Sequence, residues 1–194
     1  MTASTPEHPL VLADVSAWRR WLLEHEASSD GEWLLLAKKG TREPTSLSYQ
    51  QALEEALCGG WIDGQRRSRD AETFLQRFTP RRPRSIWSQR NVGIIARLES
   101  EGRMRESGRA EVERARADGR WDAAYAGPAT AEAPPELLAA LAEDDLARTA
   151  FEKLRGSARY SVLHPVLAAR DARARERAVA RAVLRLRGHG PGTP

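Results

Sequence analysis

The sequence predicts an α+β fold: a small antiparallel sheet packed with helices in the N-terminal part, followed by an all-helical C-terminal part. Two observations lead there. Three short strand-like runs bounded by turn residues, at 32–38 (EWLLLAK), 61–66 and 73–78, all precede residue 80 and lie among helix-spaced segments. Beyond GPATAEAPP, the clearest linker signal in the chain, everything reads as helix. The expected organisation is an α+β core over 1–126, a linker over 127–135, a helical region over 136–187 and a disordered tail over 188–194.

In order, a loose lead precedes Asp14, which caps a helix with Val15, Trp18 and Leu22 on one stripe and Trp21 widening it, ending near Glu26. SSDG turns the chain into EWLLLAK, and a run apolar on both faces predicts a central strand covered on both sides. Gly40 and Pro44 make the next segment a loop. Ser48 with Gln51 three residues later is a capping-box pattern opening a helix, which Gly59 and Gly60 stop. The runs at 61–66 and 73–78 form a hairpin with one apolar and one polar face.

TPRRPRS is a loop stiffened by two prolines, after which Ser85 caps a helix carrying Trp87, Asn91, Ile94, Ile95 and Leu98 on one side. Gly102 breaks that helix, Ser107 starts another running to about Asp118, and Trp121 and Tyr125 fasten its end to the core. Four helices follow, at 136–142, 144–154, 157–169 and 172–187. Pro165 is expected to kink or divide the third, and Val179, Val183 and Leu186 set the apolar stripe of the last.

An apolar fraction of 41% with 30% charged residues over 194 positions is the composition of a folded chain with a real core. The pI of about 9.7 rests almost wholly on arginine, since Lys38, Lys39 and Lys153 are the only lysines. This favours acidic partners. A single cysteine, Cys58, excludes an internal disulfide and reads as a buried structural thiol. His8, His25, His164 and His189 have no paired ligand spacing, so neither a metal nor any other cofactor is expected. No basic region followed by an apolar core opens the chain and no window approaches membrane-spanning length, which predicts a cytoplasmic protein without membrane insertion.

The candidate site lies in residues 58–91, where eight arginines face three carboxylates. Asp63 shares a strand face with Trp61 and stands near many arginines. A carboxylate so placed either orients Arg77 or Arg81 or, with its pKa raised against tryptophan, serves as a general acid or base. Arg77, Arg81, Arg82 and Arg84 come from a strand end and a stiffened loop before a helix start, a placement suited to a carboxylate or phosphate. Ser85, Ser88 and Lys38 can add donors, and Trp61 and Trp87 can wall a pocket that Asn91 enters. The competing account is structural: arginines that satisfy Asp63, Glu54 or Glu55, and tryptophans that belong to the core. No phosphate-binding glycine motif is present.

The segments WLLLAKKG, LSYQQALEEALCGGWIDG, FLQRFTPRRPRSIWSQRN, GRMRESG and ADGRWDAAY together resemble the YdeI/OmpD-associated family, also labelled bacteriocin-protection proteins. The resemblance covers about residues 18–125, with a weaker helical continuation to about residue 187. It implies an α+β part followed by helices, and a role in survival against bacteriocins or antimicrobial peptides. The family's association with an outer-membrane porin is not carried over to a chain with no secretion signal. Departures are Gly59, where a larger aromatic is usual and whose smallness would open space beside Trp61, and His164-Pro165. The leading expectation is a protein binding a small anionic or peptide-like molecule in an arginine- and tryptophan-lined pocket. An enzyme using Asp63 in the same pocket is the alternative, and nucleic-acid binding through the arginine-rich hairpin ranks third.

Overall fold

The computed structural model describes residues 8–127, 130–169 and 171–188. The expected tail lies outside the described residues apart from Gly188, as do two positions of the expected linker and the start of the N-terminal lead. The described residues up to Ser85, together with Gly93–Asp122, form one compact unit, and Ile86–Val92 with those from Ala123 onward form a second. Among the described residues no helix is long and apolar enough to cross a membrane.

In the first unit, α1 (Val15–His25) begins where the Asp14 carboxylate accepts from the Ala17 amide at 2.9 Å. It buries Trp18 and Leu22, and the Trp18 indole donates to the Ala52 carbonyl of α2 (Tyr49–Cys58). Ser48 and Gln51 complete the capping box at the start of α2. Three strands, β1 (Glu32–Ala37), β2 (Trp61–Ser68) and β3 (Thr73–Pro80), form an antiparallel sheet in the order β1-β3-β2.

The central strand is therefore β3, and the expectation that EWLLLAK is central is corrected. Its residues are buried on both faces, and its outer edge is occupied as well. The Leu10 and Leu35 amides exchange bonds with Trp33 and Leu10 carbonyls there, and the Ala37 amide donates to Leu47. Short bridges from flanking segments cover the edge without supplying a strand.

Trp61 opens β2 fully inside the core, its ring 6.3 Å from Trp18 and 5.9 Å from Trp21 in edge-on contacts. Beyond Asp63 the register of β2 against β3 slips, a bulge spanning Gly64 and Gln65. The buried Gln76 side chain donates from Nε2 to both of those carbonyls, at 3.0 and 3.1 Å. A polar residue at the centre of the sheet thus satisfies backbone oxygens that the bulge removes from the ladder.

The following helix, α3 (Gln89–Ser100), starts later than expected. Ser85 is not its cap: its hydroxyl accepts from the Arg82 amide and its amide donates to the Arg82 carbonyl, closing a turn. Ser88 takes the capping role, accepting from the Asn91 amide at 3.2 Å. α4 (Glu106–Ala117) crosses the end of α2 at Gly108, where a methyl group would overlap the Cys58 carbonyl.

The second unit holds α5 (Pro135–Ala142), α6 (Asp145–Lys153), α7 (Gly156–Leu167) and α8 (Ala172–Arg187). Asp144 and Asp171 cap α6 and α8 through the Ala147 and Ala174 amides. Leu137, Leu141, Ala147, Phe151, Leu163 and Leu186 are central to its core. Pro165 does not divide α7, which continues to Leu167. It sits on an exposed side in the last turn, where one missing donor interrupts little of the ladder. In α8 the residues turned fully inward are Ala178, Ala182 and Leu186, while Val179 and Val183 stay half-buried.

Candidate functional site

The first unit gathers its charge around a residue outside the expected site. Glu55 falls on the buried side of α2 and is only 1% exposed. Arg19 from α1 meets it with two bonds, Nε to Oε2 at 2.9 Å and Nη2 to Oε1 at 2.6 Å. Arg103 adds Nη2 to Oε1 at 2.7 Å, and Arg105 approaches Oε2 at 3.9 Å while donating to the Glu55 carbonyl. Burial alone would push the Glu55 carboxyl up, but the Arg19 and Arg103 hydrogen bonds outweigh it and hold it below the usual carboxylate range. Burial, with the Glu55 charge beside it, pushes the neighbouring Cys58 thiol up, as befits a structural group.

Gly59 gives room to this network. The Arg105–Glu26 pair lies against it, so the space its missing side chain leaves is filled by that pair and not opened beside Trp61. The sequence signals were present in outline, because Glu55 stands beside the apolar stripe of its helix and GRMRESG carries Arg103 and Arg105.

The expected site residues separate. Asp63 accepts from the Tyr49 hydroxyl at 2.8 Å, and no ion pair joins it to Arg77 or Arg81 among the described residues; this corrects the expected pairing. The helix α2 presents Tyr49 directly across from β2, so the carboxylate meets a neutral donor first. The Nε of Arg77 is buried with no hydrogen-bond partner among the described residues. Arg81 is buried directly after β3, and its amide donates to the Gly60 carbonyl at 3.0 Å. Arg82 is exposed.

Lys38 donates from Nζ to the Asp70 carbonyl at 2.5 Å, at the hairpin turn. The register puts that turn at the opposite end of β3 from Arg81, roughly 25 Å away at the usual rise per strand residue. Arg66 and Arg67 lie over the Phe74 and Trp33 rings, centroids 4.0 and 5.3 Å away. Trp61 belongs to the first unit, and Trp87, Ser88 and Asn91 to the second. There the Trp87 carbonyl accepts from the Tyr125 amide, and Trp87 and Asn91 are buried.

The second unit carries a groove of about 780 Å³ between α8 and the α5–α6 junction. Ala140, Val179, Val183 and Leu184 give it an apolar lining, and Leu184 is 68% exposed. Two of its four carboxylates are engaged: Glu136 with Arg175 at 3.2 Å, and Asp144 with Arg187. The other two, Glu143 and Glu176, have no ion-pair partner among the described residues. Among the described residues no cluster of His, Cys, Asp or Glu could hold a metal ion.

The chain thus consists of an α+β unit and a four-helix unit that carries an acid-edged apolar groove. The chain belongs to the family described as Domain of unknown function (DUF8412), whose model matches residues 10–111, and over residues 130–188 it carries a match to the family Bacteriocin-protection, YdeI or OmpD-Associated. The YdeI/OmpD-associated match thus lies on the helices α5 to α8, while most of the motifs that suggested it lie in the stretch matched by the other family. No curated protein and no solved structure matches the chain.

Proposed function

We propose that this chain is a cytoplasmic peptide-binding protein whose helical unit holds a cationic amphipathic peptide in the groove beside α8, protecting the cell by sequestering an antimicrobial peptide. The observation that carries this reading is the groove itself, which falls within the residues matched by the bacteriocin-protection family. Val179, Val183 and Leu184 would take the apolar face of a helix laid along α8, the usual geometry of helix-in-groove recognition. Glu143 and Glu176 would face its cationic flank. Calorimetric titration with a cationic amphipathic helix of about 15 residues, roughly four turns, tests the reading. Saturable micromolar binding lost on Val183→Asp supports it; binding that Val183→Asp leaves unchanged rejects it.

A second reading is favoured by the buried Arg77 Nε, which has no hydrogen-bond partner among the described residues. In it a small carboxylate or phosphate docks at the Arg77, Arg81 and Arg82 end of β3, with Asp63 and Tyr49 positioned beside the strand for any proton transfer. Thermal-shift screening against small anions checks this, since a ligand bound to the native state raises the melting temperature. A rise that survives Arg77→Ala would dismiss it.

A further inference from the structure

α8 separates two grooves of opposite character. The one described above is edged by four carboxylates and two arginines that are both already paired. On the other side of α8, against α7, two lobes of about 220 and 500 Å³ share Ser161, Val162 and Arg185 and so form one trough. Among the described residues its charged lining is Lys153, Arg181 and Arg185, with no carboxylate. Leu154, Val162 and Leu186 supply an aliphatic floor. Arg185 Nη2 donates to the Ser161 hydroxyl at 3.0 Å, which holds that guanidinium across the waist of the trough. Arg181 is exposed and makes no ion pair among the described residues.

An aliphatic floor beneath an all-cationic rim selects a molecule with an apolar chain and a negative head. Among the described residues no aromatic side chain lines the trough, so nucleobases would find nothing to stack on. We infer that the α7–α8 trough binds a single-chain acyl carboxylate, with the head at Arg181 in the smaller lobe and the chain along Leu154, Val162 and Leu186 in the larger. Arg181 fixes the head because a guanidinium fork matches a carboxylate with two parallel hydrogen bonds. Lys153, at the far end of the chain, contributes little. The site is separate from the peptide groove and stands whether or not that reading holds.

Calorimetry of the full chain with dodecanoate, kept below its micellar concentration, tests the inference. Saturable binding is expected, weakened about tenfold by Arg181→Gln, as for loss of a charge-assisted bond, and less than about twofold by Lys153→Gln, with circular dichroism confirming that both variants fold. Dodecyltrimethylammonium, with the same chain and the opposite head, should fail to bind. Equal binding of the cationic amphiphile, an Arg181→Gln affinity equal to that of the wild type, tighter binding of a single-stranded oligonucleotide, or no dodecanoate binding at all would each overturn the assignment.

Discussion

Arg105 and Glu26 form an ion pair, Nη2 to Oε2 at 2.6 Å, in the space that Gly59 leaves free. A methyl group at position 59 would meet the tips of those two flexible side chains, so Gly59→Ala should loosen the pair and cost about 1 kcal/mol. At Gly108 the same methyl would strike the Cys58 carbonyl, which cannot swing aside. Gly108→Ala should cost more, about 2–3 kcal/mol. Urea unfolding of the two variants checks the order, and a larger loss at position 59 would contradict it.

Removing Glu55 leaves Arg19 and Arg103 facing each other without their shared carboxylate. Glu55→Gln should destabilise the first unit by about 3 kcal/mol at pH 7, the lower end for breaking a buried pair, because Arg19 is half exposed. The folded-state pKa of Glu55 lies below its unfolded value, so its contribution is complete above the unfolded pKa and is lost as pH falls through the folded one. The difference in melting temperature between wild type and Glu55→Gln should therefore hold from pH 7 down to the ordinary glutamate range, shrink as pH falls below it, and vanish only once the lowered folded-state pKa has been passed. Parallel curves throughout would show that Glu55 does not titrate as described.

The partner of Asp63 is open to a double-mutant cycle. Asp63→Asn with Tyr49→Phe should show a coupling of about 1 kcal/mol or more, since their oxygens are 2.8 Å apart and partly buried. Asp63→Asn with Arg77→Ala should be additive within about 0.5 kcal/mol. The reverse result would restore the carboxylate–arginine pairing that the density of nearby arginines suggested.

Local features were the most legible part of the fold. Asp14 and the Ser48–Gln51 box act over three residues, and each is found where its spacing put it. What depends on distant segments was less legible. The run EWLLLAK has the pattern of a central strand, yet it lies at the edge of the sheet, where its backbone bonds to Leu10 and Leu47, partners that periodicity does not assign to it. The arginine-rich hairpin drew attention by density, while Glu55 takes its cations from α1 and from the turn before α4, 36 and 48 residues away. In α8 the valines marked the stripe, but the alanines pack inward and leave Val179 and Val183 to line the groove. Small residues allow close helix approach, and a hydropathy pattern alone ranks them second.

The most direct test of the peptide-binding account is a charge swap at the groove edge. Glu143→Lys with Glu176→Lys should abolish binding of the cationic amphipathic peptide and create binding of its acidic counterpart, with the same apolar face, measured by calorimetry at low salt. If both proteins bind both peptides alike, or neither binds either, the acid-edged groove is not a peptide site.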